Sequence, residues 1–174
     1  MANRERLFLI DAYALIFRGY YAFIKNPRIN SKGFDTSAIM GFMNSLLDLI
    51  KRESPENLAV AFDQGGSQDR IAIFDDYKAN RSETPETISL SVPIIKEILN
   101  AMKIPILVKN GYEADDIIGT LALEANNKGY DTFIVSGDKD FMQLINDHIF
   151  LYAPGTRWKP APIIYDSKKV EDKW

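Results

Sequence analysis

The stretch GYEADDIIGTLALEANNKGYDTFIVSGDKDF, Gly111 to Phe141, sets five carboxylates in two tight clusters: Glu113, Asp115 and Asp116, then Asp138 and Asp140. The first cluster opens a segment of helical period, and acids in a first helical turn gain about 0.3–1 kcal/mol from the helix dipole. That effect accounts for one or two of the five. The second cluster follows Thr132 to Ser136, a short apolar run of strand character. A helix followed by a strand followed by acids is one unit of an alternating α/β chain, and it asks whether other strands end the same way.

Working outward, short β-rich runs alternate with longer segments of helical period, the pattern of a parallel sheet covered on both faces. The strands predicted are Leu7 to Ile10, Leu58 to Phe62, Ile104 to Val108, Thr132 to Ser136 and Ile149 to Tyr152. Thr36 to Lys51 places Ile39, Phe42, Met43, Leu46, Leu47 and Ile50 on one helical stripe. Glu86 to Met102 does the same with Ile88, Val92, Ile95, Leu99 and Met102. Both stripes read as core. Pro93 removes one backbone donor and is expected to kink or split the second helix. Ala153 to Pro162, with three prolines and Trp158, reads as a surface loop. Asp166 or Ser167 then caps a last helix running to Trp174.

Composition bounds what such a fold can do. A chain of 174 residues with 46% hydrophobic side chains can bury one core and fits one domain. It has no cysteine and one histidine, His148, which excludes a disulfide framework, a thiolate zinc site and a histidine cage. Any metal would be held by oxygen. The apolar run near the N-terminus is broken by Asp11 and Arg18, so it reads neither as a signal peptide nor as a membrane span. A cytoplasmic protein is expected. The net charge of −3 does not suggest a generic nucleic-acid binder.

The strand ends carry the chemistry. Asp11 directly follows LFLI, Asp63 directly follows LAVAF, Glu113 follows IPILV after a short turn, and Asp138 follows FIVS by two residues. In a parallel sheet these carboxyl ends share one edge, where open α/β folds build their sites. Two like charges about 4 Å apart repel by roughly 4 kcal/mol at an effective dielectric near 20, so seven acids in one crevice call for a cation. Hard oxygen ligands favour magnesium or manganese, and they suffice for two ions.

Four motifs, LFLIDAYALIFRGYYAF, AVAFD followed by DDYKANR, GYEADDIIGTLA and SGDKDFMQL, together resemble the successive motifs of the 5′ nuclease (flap endonuclease-like) family. Within it the N-terminal 5′-3′ exonuclease domain of bacterial DNA polymerase I is most similar. The resemblance covers nearly the whole chain. It implies a Rossmann-like, PIN-like α/β core with a mostly parallel sheet, helices on both faces and a helical arch over the active site. It also implies two Mg²⁺ ions, with Mn²⁺ able to substitute, and hydrolysis of DNA, and of RNA in RNA–DNA substrates, at 5′ ends and flaps. By the same resemblance Asp11, Asp63, Glu113 and Asp115 hold the first ion with Asp116 nearby, and Asp138 and Asp140 hold the second. Such ions activate water at neutral pH and neutralise charge on phosphorus and the leaving oxygen.

The arch would begin in RIAIFDDYKANR, Arg70 to Arg81, where Lys78 and Arg81 match the family's phosphate-contacting cations and act in catalysis beside Asp115. Arg18 and Arg70 match further phosphate contacts, and Tyr77 is placed to stack on an unpaired base, a contact worth about 1–3 kcal/mol. The sequence departs from the family at Asp69 and Ile71, which flank Arg70, and at Ala12 and Tyr13, which replace a small Gly-Ser pair. Setting aside the seven acids turns the net charge of −3 into +4, a mildly basic remainder. The resemblance further implies a monomeric, nucleoid-associated protein with no membrane partner. Residues 1–174 are expected to be the nuclease core, with a helix-hairpin-helix region and a polymerase lying in a longer chain. Two other readings stay open: a magnesium-dependent phosphohydrolase of small phosphate esters, and a non-catalytic nucleic-acid-binding module. Against the first, Asp11 is not followed two residues later by an acid but by Tyr13.

Overall fold

The run Leu7 to Ile10 is apolar on both sides, and its side chains divide with the two-residue period of a strand. Phe8 and Ile10 enter one hydrophobic layer, and Leu7 and Leu9 enter the other. In the computed structural model, which describes residues 4–63, 84–155 and 161–172, this run is strand β1, Arg6–Asp11. The other strands are β2 (Asn57–Ala61), β3 (Ile106–Leu107), β4 (Asp131–Val135), β5 (Ile149–Ala153) and β6 (Ile163–Tyr165). They form one sheet in the order β3-β2-β1-β4-β5-β6. β1 to β5 run parallel to one another and β6 is antiparallel to β5.

The helices among the described residues are α1 (Ala12–Phe23), α2 (Ser37–Glu53), α3 (Glu86–Ala101), α4 (Ala114–Asn127) and α5 (Ser167–Glu171). On one face α1, α2 and α3 bury Leu15, Ile16, Phe42, Leu46, Ile88 and Ile95 against Phe8, Ile10, Val60 and Phe62. On the other, Ile118 and Ala122 of α4 and Phe141 and Met142 of a short 3-10 turn, Asp140–Leu144, pack on Leu9, Ala61, Ile134 and Leu151. Each large apolar side chain so buried stabilises the fold by about 1.5–3 kcal/mol. The connections after β1 and β2 lead outward on one side of β1, whereas α4 brings the chain back to β4 on its other side. The strand order therefore reverses at β1, and the crevice over its carboxyl end is where such sheets bind ligands.

α1 and α2 cross at Gly19 and Gly41. A Cβ on Gly41 would lie 2.2 Å from the Gly19 Cα, so only glycine permits this approach.

The parallel sheet with helices on both faces is as the sequence predicts, with four differences in detail. Helix α3 runs unbroken through Pro93, which lies on its exposed side. The strand expected over Ile104 to Val108 shrinks to two residues, because Pro105 has no N–H to give the ladder and contributes only its carbonyl, to Val60 N–H at 2.9 Å. Leu47 is 49% exposed and Leu49 takes its place in the core, while Met102 falls past the end of α3 and is 37% exposed. β6 lies just past the stretch read as loop, where three residues are too few to show a period. Asp166 does cap α5, accepting from Lys169 N–H at 2.8 Å. The helical arch expected around Arg70 to Arg81 lies outside the described residues.

Candidate metal centre

Asp11 ends β1 and caps α1 in the same residue. One of its oxygens accepts Ala14 N–H at 3.1 Å, and the other accepts the Ser136 hydroxyl at 3.0 Å. Ser136 directly follows β4, is fully buried, and takes the Asp138 N–H on its own oxygen at 3.0 Å. Asp138 in turn accepts the Asp140 N–H at 2.9 Å. From the other side of β1, Asp63 lies two residues past β2 and accepts Ala114 N–H at 2.5 Å, tying that strand end to the start of α4. Glu113, 5% exposed, is the N-cap of α4 and shares a reciprocal capping box with Asp116, whose carboxylate accepts Glu113 N–H at 3.1 Å.

The charges act on one another. Burial raises the pKa of Asp11; the Ala14 and Ser136 donors oppose the rise, and Asp63 and Asp138 add to it. Asp115 is pushed up to about 6, first by desolvation and then by Asp11, Asp63, Asp138 and Glu113. Because the Asp115 side chain is itself exposed, solvent and salt screen the like-charge part of that rise. The Tyr13 phenol is raised by burial and by Asp63. With Asp11 at the end of β1, Asp63 just past β2, Asp138 just past β4 and Glu113 and Asp115 at the start of α4, the five carboxylates lie near the carboxyl edge on either side of β1.

The remaining residues singled out in the sequence have other surroundings. Asp140 is exposed at the start of the 3-10 turn, joined to Asp138 through its backbone but not among the charges that raise Asp11 or Asp115. Asp116 turns back to cap α4, which is a structural use for its carboxylate. Arg18 donates from both terminal nitrogens to the backbone carbonyls of Pro154, at 2.8 Å, and Gly155, so its guanidinium anchors the chain leaving β5. Burial lowers its pKa. Arg70, Tyr77, Lys78 and Arg81 lie outside the described residues. Ser136 was not singled out in the sequence; its one legible signal is a hydroxyl residue at a strand end immediately before Gly137 and Asp138.

The donor set tests what ion would fit. It is carboxylate oxygen throughout, which suits a hard divalent cation. Among the described residues no three acidic or histidine side chains stand closed around a single ion position. Magnesium keeps several of its waters and takes one or two carboxylates directly, so an open, wet arrangement fits it better than an ion that demands a closed protein cage.

Residues 6–174 match the family model described as 5′-3′ exonuclease, N-terminal resolvase-like domain. The chain is 39% identical over 169 residues to DNA polymerase I of Chloroflexus aurantiacus, covering 97% of this chain and 18% of that protein. It is 40% identical over 150 residues to the 5′-3′ exonuclease of Aquifex aeolicus, covering 86% of this chain and 51% of that one. The chain thus spans from about a fifth to about half the length of these relatives. Among solved structures, T5 5′-exonuclease with bound zinc superposes with a TM-score of 0.68 at 20% identity, over 97% of this chain and 60% of that one. A T5 flap endonuclease in a pseudo-enzyme-product complex with DNA and metal ions gives 0.66 at 19% identity, over 97% and 60%.

Proposed function

The chain belongs to the 5′-3′ exonuclease family through its N-terminal resolvase-like domain, and from that premise we propose that it hydrolyses DNA phosphodiesters at 5′ ends and flaps, using two Mg²⁺ ions, as part of a DNA polymerase I. The observation that carries this reading is the placement of Asp11, Asp63 and Asp138 at or just past the ends of β1, β2 and β4, with Glu113 and Asp115 at the start of α4, which Asp63 ties to the same edge.

Asp11, Asp63, Glu113 and Asp115 are the residues to hold the first ion, one or two of them directly and the rest through its waters, and Asp138 with Asp140 the second. Bound there, the ions supply activated water and neutralise charge on the phosphodiester. The protein's part is to hold the ligands still. Asp11 is fixed from both oxygens, and each keeps a lone pair for a cation. Asp63 is held by the first turn of α4, which ties the segment after β2 to that helix. Asp115, exposed at that helix start, is free to adjust as charge arrives. Lys78 and Arg81 supply phosphate contacts, and Arg70 and Tyr77 extend them along the substrate. A relative named 5′-3′ exonuclease and a T5 flap endonuclease complexed with DNA and metal ions support this choice of substrate. A nucleoid-associated, cytoplasmic enzyme acting as a monomer on DNA or RNA–DNA completes the proposal.

The reading is tested with a 5′-labelled flap substrate in Mg²⁺ or Mn²⁺. Wild-type protein releases labelled 5′ fragments, chelation stops release, and Asp115→Ala slows it by two orders of magnitude or so, the scale of losing one electrostatic stabiliser. Equal metal-dependent cleavage by both proteins would remove the carboxylates from the mechanism.

A further inference from the structure

A hydroxyl buried without a partner costs about 1–3 kcal/mol, so a fully buried serine at a strand end needs an account of both its proton and its lone pairs. Ser136 gives its single proton to Asp11 at 3.0 Å and accepts the Asp138 N–H at 3.0 Å. Its backbone is fixed as well, by Ser136 N–H donating to the Tyr152 carbonyl of β5 at 3.2 Å. The side chain therefore joins two acid-bearing segments that reach this edge from different strands, Asp11 from β1 and Asp138 from the loop after β4. The Ser136 N–H is directed to β5, so on this residue it is the hydroxyl that reaches Asp11.

We propose that Ser136 is a positioning residue of the metal centre, setting the Asp11 carboxylate and the Asp138 loop in register so that the two halves of the acidic cluster bind cations as a unit. The inference rests on the reading of these carboxylates as metal ligands. Outer-shell partners of this kind typically contribute 10–100-fold in metal affinity. A serine that only satisfied its own hydroxyl would alter stability and leave metal affinity alone.

The test is a calorimetric titration with Mn²⁺ of the wild type, Ser136→Ala, Ser136→Cys and Ser136→Thr, each normalised to its folded fraction by circular dichroism, and of Ser136→Ala combined with Asp11→Asn. The alanine variant binds Mn²⁺ about 10–100-fold more weakly, cysteine falls between, and threonine restores most of the affinity by keeping the donor. In the Asp11→Asn background most of the loss from Ser136→Ala disappears, because the two changes break one path. If alanine prevents folding, cysteine carries the comparison, since it fills the same space with a weaker donor. Wild-type affinity in both the alanine and cysteine variants, or an undiminished loss in the Asp11→Asn background, overturns the positioning role. Failure of the wild type itself to bind Mn²⁺ is a separate outcome, which overturns the metal reading on which the role rests.

Discussion

Gly41→Ala is expected to separate α1 from α2 and to weaken the site at the same time. The added Cβ would meet the Gly19 Cα at 2.2 Å and its carbonyl carbon at 3.0 Å. Carbon atoms rest about 3.5–4.0 Å apart, so the helices must part by more than an ångström. Overpacking of ordinary severity costs about 1–3 kcal/mol, and a backbone-to-backbone clash belongs at the upper end. Better helix propensity returns about 1 kcal/mol. The net loss is about 2 kcal/mol, which at roughly 2–4 °C per kcal/mol for a chain of this size lowers the melting temperature by about 4–8 °C. The push also reaches the site, because the first turn of α1 supplies the Ala14 N–H that holds Asp11. Mn²⁺ affinity should fall with stability. Gly119→Ala is the control: its Cβ meets only the flexible end of Leu144, at 3.4 Å, so propensity wins and melting rises slightly. Thermal unfolding of both variants decides the matter; Gly41→Ala melting at or above the wild type would refute the packing argument.

Other expectations concern charge. Asp63→Asn keeps an oxygen for Ala114 N–H but removes a charge felt by Asp11 and Asp115; the metal-free melting temperature should rise and the gain on adding Mg²⁺ should shrink. Because the folded pKa of Asp115, about 6, lies above its ordinary 3.8, the folded state binds the extra proton and metal-free stability falls as pH rises through that window. Denaturant titrations should show this fall in the wild type, smaller at high salt and reduced in Asp115→Asn, where the raised Asp11 still contributes; a wild-type slope equal to that of Asp115→Asn counts against the coupling. Arg18→Ala should lower stability by about 1–3 kcal/mol by freeing the Pro154 and Gly155 carbonyls, yet leave the salt dependence of DNA binding unchanged. Lys78→Ala should reduce that salt slope by about one unit with little loss of stability; the opposite pattern for either residue would exchange their roles.

The parts of this architecture legible in the sequence are those where one residue type has one dominant use. Apolar runs such as Leu7 to Ile10 read as buried strands because they are short and bounded by the charged Arg6 and Asp11, and the acids that follow them inherit the strand-end position. Legibility fails where two uses compete for one residue. Asp116 carries the same spacing from Glu113 whether it binds a cation or closes a capping box, and only coordinates separate the two. Leu47 and Leu49 differ by two positions on a helix whose apolar stripe is wide enough for either. β6 is too short to have a period, and its pairing with β5 is a non-local choice. Ser136 was invisible for a related reason: a serine after a strand ordinarily marks a turn, and its function resides in two partners, one of them 125 residues away in sequence.

The central claim is that the acids at the carboxyl edge of the sheet bind divalent cations, and anomalous diffraction from crystals grown in millimolar Mn²⁺ tests it most directly. The account predicts an anomalous peak in the crevice over β1, within coordination distance of Asp11, Asp63 or Asp115, with any second peak beside Asp138 and Asp140. Strong peaks confined to other acidic surfaces, with the crevice over β1 empty, would contradict it.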